Sequence, residues 1–154
     1  MVINGVKRLK PGKGRVLNVF GDSVSCKLTE EDSGVFFSMF EITVPPSGGQ
    51  PVHRHLRDEE AYYVLEGQFD FHTDDRIETA RAGTFIHFPR GVSHGYTNTG
   101  SGNGKLLAVF APMGVEHYFE EIDRRSREGS LDDETSRQIA KRHGILDAAR
   151  TGAA

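Results

Sequence analysis

Three histidines and one glutamate in the middle of the sequence have the types and spacing of a metal site. His53 and His55 are two residues apart, and side chains two apart on a β-strand point to the same face. Glu60 follows a predicted turn that can bring its carboxylate alongside the two rings, and His94 follows a second turn, Pro89-Arg90-Gly91. Three imidazoles and one carboxylate suit one divalent ion of Fe, Mn, Ni, Co, Cu or Zn, and they do not choose among these metals.

The predicted site has room for chemistry. Four protein ligands on an octahedral ion leave two positions open, where water, dioxygen or a chelating substrate can bind. Glu59 lies beside Glu60, but adjacent strand residues point to opposite faces, so we expect it to be solvated. The four remaining histidines lack a comparable spacing, and we expect each to be a surface or hydrogen-bonded imidazole: His72, His87, His117 and His143.

The residues around this cluster predict a β-rich fold. Short apolar or alternating runs rich in Phe, Tyr, Val and Thr recur between turns that contain Pro, Gly, Asn and Asp, which is typical of antiparallel strands in a sandwich or barrel. The chain has 18 Gly and 6 Pro, in keeping with many tight turns. The predicted strands span residues 23–28, 35–44, 61–65, 68–73, 84–88, 94–98 and 106–110.

The pattern becomes helical after Pro112. Apolar residues at i, i+3, i+4 and i+7 predict a first helix that packs on the barrel; they are Val115, Tyr118, Phe119 and Ile122. A second helix is predicted over 131–143, with Ser130 and Asp133 in capping-box spacing and Gly144 as a stop. This helix is a lid, a dimer contact or a solvated tail, and we expect residues 148–154 to be frayed.

Composition narrows the possible functions. A length of 154 residues is typical of one domain, and a net charge of −3 gives no reason to expect nucleic acid as a partner. Cys26 is the one cysteine, so no internal disulfide is possible, and we expect a buried structural thiol. The sequence has no apolar run long enough for a membrane span or a signal peptide, so we expect no membrane association and a cytoplasmic protein.

The two stretches around the proposed ligands resemble the two motifs of the cupin superfamily. The first motif is His-x-His, four residues, Glu, six residues, Gly; it is matched by His53, His55, Glu60 and Gly67. The second is Gly, five residues, Pro-x-Gly, two residues, His, three residues, Asn; it is matched by Gly83, Pro89, Gly91, His94 and Asn98. One departure is Ser47, where the family's first motif usually opens with Gly.

This resemblance implies an all-β double-stranded β-helix, or jelly-roll barrel, with one or two C-terminal helices. It implies that the matching His, His, Glu and His bind the metal. Residues 1–112 would form the barrel with its N-terminal strands, and residues 113–154 a helical extension of the same domain. The resemblance also implies a homodimer, in agreement with the frequency of closed two-fold assemblies.

Within the family, the chain most resembles small quercetin 2,3-dioxygenase-like proteins. The resemblance implies that a flavonol or other small enolic or aromatic compound binds at the metal with dioxygen, and that Glu60 accepts a proton as general base. Tyr62, Val64 and Tyr96 share strand parity with the ligands and are expected in the pocket wall. The two tyrosines, and the phenylalanines named next, could equally be barrel core. Three phenylalanines are expected to add apolar surface: Phe36, Phe40 and Phe88.

Two other functions remain open from the sequence. One is a non-redox isomerase, cyclase or lyase that uses the metal as a Lewis acid. The other is a non-catalytic cupin that binds a small ligand. Fold alone does not choose among these functions, because one fold hosts many chemistries.

Overall fold

The computed structural model of the chain describes residues 2–3, 5–32 and 36–147, which form thirteen strands and two helices. The strands before the helices are β1 (Val2–Ile3), β2 (Val6–Lys7), β3 (Arg15–Val19), β4 (Asp22–Leu28), β5 (Ser38–Val44), β6 (Gly49–His55), β7 (Glu59–Glu66), β8 (Gln68–Thr73), β9 (Ile77–Arg81), β10 (Phe85–Phe88), β11 (His94–Asn98) and β12 (Gly104–Ala111). The helices α1 (Val115–Arg127) and α2 (Asp133–Arg142) and the strand β13 (Ile145–Asp147) follow.

Two antiparallel sheets enclose the core. The six-stranded sheet has the order β10-β7-β12-β5-β4-β3, and the five-stranded sheet has the order β13-β6-β11-β8-β9. Every second side chain of β5 and β12 is buried, as expected for strands with one face on a core. Side chains from both sheets and both helices form one buried apolar cluster, so the sheets and helices share a single core.

Most predicted strands are present with small differences in their ends. The strands predicted over 68–73 and 94–98 have these bounds in the structure. The strand predicted over 35–44 begins at Ser38, and Val35 lies outside the described residues. Strand β9 was missed because Ala80 is its one buried side chain, so its sequence shows no alternation.

The first helix agrees with its prediction. The four apolar residues at helical spacing are all buried, and α1 packs against β3. Predicted capping of the second helix by Ser130 was wrong, because the N-cap is Asp132, whose Oδ1 accepts a 2.7 Å hydrogen bond from the Thr135 N–H. The Ser130 N–H instead bonds to the Arg125 carbonyl oxygen after the end of α1.

The C-terminal segment contributes more than helices. Gly144 follows α2 with φ +74° and ends it as predicted. Strand β13 then pairs with β6, placing Ile145 opposite His55 and Asp147 opposite His53. The predicted fraying of residues 148–154 falls outside the described residues. Among the helices of the described ranges, none has the length and apolar character needed to cross a membrane.

Candidate metal centre

The four predicted ligands come together from three strands. His53 and His55 lie on β6, and His94 on β11 is directly opposite His53 in the five-stranded sheet. Glu60 lies on β7 of the other sheet and points between the sheets with 2% of its surface exposed. The site therefore depends on both sheets and lies where their inner faces meet.

Two glycines allow β6 and β11 to approach closely. A Cβ at Gly95 would lie 2.7 Å from the Gln50 carbonyl oxygen, and one at Gly49 would lie 2.0 Å from the Tyr96 carbonyl oxygen. Real Cβ atoms do not approach backbone atoms this closely, so any larger residue would push the strands apart. The register between β6 and β11 also shifts between His94 and Tyr96, which is typical of an irregularity that redirects a side chain at a functional site.

The four ligand atoms converge on one point. They lie within 4.8 Å of one another. The Nε2 atoms of His53 and His55 are 3.1 Å apart, and Glu60 Oε2 is 3.4 Å from His55 Nε2 and 2.6 Å from His94 Nε2. Ligands bound to one ion at about 2.1 Å and at right angles to each other are separated by about 3 Å, so these distances fit a shared cation.

The other ring nitrogens explain why the three Nε2 atoms are available. The Nδ1–H of His53 donates to the Pro51 carbonyl oxygen at 2.8 Å, and that of His94 donates to the Val92 carbonyl oxygen at 3.0 Å. The Nδ1–H of His55 donates to Asp58 Oδ2 at 3.3 Å. A neutral imidazole that donates through Nδ1 has a lone pair on Nε2. Two such lone pairs 3.1 Å apart repel each other unless a cation lies between them, so the residues fit a bound metal ion.

Burial and mutual charge set the protonation of the ligands. Burial, together with the neighbouring His55, lowers the pKa of His53 to about 4. Burial opposes ionisation of Glu60, but His55, His94 and His53 outweigh it and hold the Glu60 pKa at about 2. Burial also lowers the pKa of His94, yet its contact with Glu60 prevails and the pKa is raised. An ionised Glu60 beside a neutral His53 is the state that binds a metal.

Aromatic rings support this cluster from behind. The ring of Phe88 stacks on His94 with a centroid distance of 4.1 Å and an interplanar angle of 6°, and Phe110 lies 5.6 Å from His55. The Tyr62 hydroxyl donates to Glu60 Oε1. Burial and the nearby Glu60 raise the pKa of Tyr62 well above its usual value of 10, so it stays protonated and acts as a donor.

A cavity of about 330 Å³ opens from the ligand cluster towards the C-terminal helices. His53, His55 and Glu60 lie in its wall together with six aromatic side chains from the barrel and α1: Phe20, Tyr62, Tyr96, Phe110, Tyr118 and Phe119. Helix α2 and β13 also contribute to the wall, so the segment left open as a lid, contact or tail borders the cavity.

The expected pocket residues have several different positions. Tyr62 and Tyr96 line the cavity, whereas Val64 is fully buried in the barrel core. Phe40 lies in the core against Phe110 and Phe119, with centroid distances of 5.8 and 5.2 Å. Phe36 is 81% exposed, so its expected place in the wall was wrong, because residue type alone does not say which way a loop side chain points.

Sequence reasoning missed the polar group at one side of the cavity. Asp22 is 1% exposed, and its Oδ2 accepts hydrogen bonds from Tyr96 at 2.8 Å and from Gln50 at 2.9 Å. Its Oδ1 has no partner among the described residues. Burial raises the pKa of Asp22. The partners of Asp22 are 28 and 74 residues away, so no local spacing in the sequence could have indicated it.

The other four histidines lie outside the cluster, each hydrogen-bonded to a different residue. His72 contacts Thr97, His87 contacts Glu59, His117 contacts Glu30, and His143 contacts Glu121. Glu59 is exposed, as expected for the outward neighbour of Glu60.

A second group of possible ligands, Glu30, Glu116 and His117, lies at the start of α1. Glu116 already accepts from the Ser38 hydroxyl at 2.6 Å and from the Gly114 N–H at 3.1 Å, as well as from the Glu30 N–H. Its carboxylate is thus engaged in joining α1 to the barrel, in contrast to the facing Nε2 lone pairs of His53 and His55.

Comparisons with known proteins agree with this architecture. Residues 40–110 match a family model described as a cupin domain. Germin-like protein 1-1 from Oryza sativa subsp. japonica is 32% identical over 105 residues, which are 63% of this chain and 49% of that protein. The chain spans about half or less of the length of the plant germin-like relatives it matches.

Bacterial proteins are matched over more of their length. An oxalate-binding protein from Thermotoga maritima is 28% identical over 104 residues, which are 68% of this chain and 82% of that protein. The crystal structure of the polyketide cyclase RemF from Streptomyces resistomycificus superimposes with a TM-score of 0.63 and 26% identity, covering 69% of this chain and 79% of that one. The fold is therefore the cupin double-stranded β-helix with C-terminal helices.

Proposed function

With sequence and fold both supporting the cupin superfamily, we propose that the protein is a metal-dependent dioxygenase acting on a small enolic or aromatic hydroxyl compound, as quercetinase-like cupins do. The observation that carries the proposal is the convergence of three Nε2 atoms and Glu60 beside an aromatic-lined cavity, whose wall includes His53, His55 and Glu60. His53, His55, Glu60 and His94 would hold one divalent ion.

The cavity favours an aromatic ligand over a small dicarboxylate. Its volume of about 330 Å³ is within the usual range of about 300–1,000 Å³ for small-molecule sites. Acidic side chains outnumber basic ones in its wall, where Asp22, Glu60, Asp133 and Asp147 accompany Arg137. One relative is named for binding oxalate, but this wall suits a hydroxylated aromatic body better than a dianion.

A bound divalent metal would supply Lewis acidity, favouring the ionised form of an enol or phenol, and a position for dioxygen. The chain's own groups then handle protons. Tyr62 remains protonated and can donate within the cavity, whereas Glu60 is ionised. Because the pKa of Glu60 is about 2, it becomes an effective base for a substrate hydroxyl only when its contact with the three imidazoles loosens.

Oxygen consumption tests this proposal. Protein loaded separately with Fe(II), Mn(II), Co(II) or Ni(II) is offered quercetin and a small panel of enolic compounds, with His94→Ala as the inactive variant. His87→Ala is the matched control, since His87 lies outside the cluster and is exposed. A dioxygenase is supported if oxygen uptake needs metal, persists in the wild type and in His87→Ala, and is lost in His94→Ala. Full metal occupancy without uptake would contradict it.

A second candidate is a non-redox cyclase, isomerase or lyase. It is favoured by the match to the polyketide cyclase RemF and by the contact of the protonated Tyr62 with the ionised Glu60, which forms a donor and acceptor pair. Product formed from the same panel under nitrogen would support this reaction class. Ligand binding without any turnover would instead support a non-catalytic binding protein.

We also propose a homodimer, on the family resemblance and on one surface feature. Tyr63 and Phe85 are paired across β7 and β10, and they are 44% and 64% exposed. Light scattering on protein eluted from a size-exclusion column should give twice the mass of one chain. The mass of a single chain would contradict the proposal.

A further inference from the structure

The turn between β3 and β4 contains an aromatic residue in a strained backbone conformation. Val19 pairs with Asp22, so the turn has two residues, Phe20 and Gly21, with φ of +52° and +95°. Glycine adopts this left-handed region freely, but a bulky side chain there is unusual. Hairpin turns with positive φ at both positions strongly prefer Asn, Asp or Gly at the first position. Phe20 is therefore a poor choice for the turn itself.

Phe20 borders the same cavity as the metal ligands. Val19 and Asp22 on either side of the turn are buried, whereas Phe20 is 45% exposed and still lies in the cavity wall with His53 and Glu60. A wall residue that is almost half exposed lies where the cavity meets solvent. A ligand that reaches the metal centre through this opening passes the ring of Phe20.

The charged residues at the opening do not form an anion site. Helix α2 contributes Asp133 and Arg137 to the wall, and β13 contributes Asp147. Arg137 is already paired with Glu134 at 3.2 Å. The charge of Arg137 is thus balanced, and the wall carboxylates Asp133 and Asp147 lie on the same side of the cavity. The ring of Phe20 is then the feature at the opening that can recognise a ligand.

We propose that Phe20 is a specificity-determining residue, whose ring stacks on the planar, uncharged part of a hydroxylated aromatic ligand at the cavity opening. Backbone strain held at such a position is typical of binding sites, where the side chain is needed more than the local stability. The inference rests on the proposed function, because it describes the ligand of that same site.

The test combines binding and stability in the metal-loaded, full-length protein. The probe is 2-naphthol, titrated by calorimetry into the wild type, Phe20→Asn, Phe20→Tyr and the control Phe36→Asn. Phe36 is an exposed phenylalanine that does not line the cavity. Stacking of one ring predicts a Kd about 3- to 10-fold higher in Phe20→Asn, and a Kd within about twofold of wild type in Phe20→Tyr and Phe36→Asn.

The thermal stability of Phe20→Asn should rise although its affinity for 2-naphthol falls. Asparagine suits the turn, so Phe20→Asn should raise the Tm by about 2–4 °C. Weaker binding in a more stable protein cannot result from misfolding. An unchanged Kd in Phe20→Asn, a Tm that falls, or a wild type that does not bind 2-naphthol would overturn the inference. Loss of the proposed function alone would appear differently, as intact Phe20-dependent binding without metal-dependent turnover.

Discussion

At the scale of single residues, the Nδ1 contacts of the three clustered histidines support the proposed metal site as much as the positions of their Nε2 atoms do. The Nδ1 atoms of the three histidines each donate a hydrogen bond, to the acceptors Pro51, Asp58 and Val92. Each hydrogen bond fixes the ring so that its Nε2 atom points to the shared point. Two of these acceptors are backbone carbonyls, which no side-chain substitution removes. Asp58 is the one acceptor that mutation can test directly.

Asp58→Ala should weaken metal binding without unfolding the barrel. Loss of the carboxylate frees the ring of His55 to rotate or to change tautomer, and removal of such a partner typically lowers metal affinity about 10- to 100-fold. Competition with a chromophoric chelator measures the change. Glu59→Gln, at an exposed neighbour of Glu60, should bind like the wild type, and equal affinities for all three proteins would contradict the role of Asp58.

Metal affinity should fall as the pH falls. His94 has a raised pKa in the metal-free protein, so it must lose a proton to bind a metal at any pH below that value. The apparent Kd should therefore rise at least about tenfold per pH unit below about pH 6.5, and more steeply near pH 4, where His53 also protonates. Titrations between pH 7.5 and 4 measure this slope, and a flat profile would contradict the ligand assignment of His94.

At the scale of elements, the site depends on how closely two strands approach. Gly49 and Gly95 remove the side chains that would separate β6 from β11, and this brings His94 opposite His53. Helix α1 is joined to the barrel by the buried Glu116, which accepts from Ser38 and from Gly114. The metal centre and the helical side of the cavity thus rely on separate contacts.

Gly95→Ala should reduce both stability and metal binding. The new Cβ meets backbone of β6 on the neighbouring strand, which cannot move as a flexible side chain would, and overpacking of this kind costs about 1–3 kcal/mol. Gly102→Ala is the matched control, because a Cβ there meets nothing within 4 Å. Urea unfolding compares the two variants, and equal stabilities would show that the strands do not need the glycine.

Glu116→Gln should lower the free energy of unfolding by about 1–3 kcal/mol at pH 7, since an amide cannot accept all the hydrogen bonds of the carboxylate. Burial alone would raise the pKa of Glu116, but hydrogen bonds from Ser38 and the backbone lower it below 4.5. A lowered folded pKa gives stability that is present above the unfolded pKa and is lost as the pH falls through the folded value.

The difference between wild type and Glu116→Gln should therefore shrink below about pH 4.5, which urea unfolding at pH 7 and pH 3.5 measures. Glu78→Gln serves as the control, because the Glu78 side chain is 61% exposed. A difference that stays constant with pH would show that the ionised carboxylate is not the stabilising group.

At the scale of the whole molecule, two sheets and two helices surround the candidate metal site and the cavity beside it. The clustering of His53, His55, Glu60 and His94 was predictable, because His53 and His55 follow strand periodicity and because Glu60 and His94 keep the spacing of the two motifs. The strands with clear alternation were predictable for the same reason. Local periodicity is the information that a single sequence gives directly.

The remaining cavity wall was not predictable, because pairing over long distances creates it. Asp22 meets Tyr96 across 74 residues, and α2 borders the cavity beside β13, which pairs with the distant β6. Phe20 has no local signal beyond its place before Gly21. Phe36 and Phe40 are four residues apart and of the same type, yet Phe36 lies on the surface and Phe40 lies in the core.

The most direct test of the four-residue metal site is the metal content of protein incubated with excess Mn(II) or Ni(II) and then freed of unbound ion. Elemental analysis should find about one ion per chain in the wild type and in His87→Ala, and almost none in a folded His94→Ala. Full occupancy of His94→Ala, or a wild type that retains no metal, would contradict the assignment of His53, His55, Glu60 and His94 as the metal site.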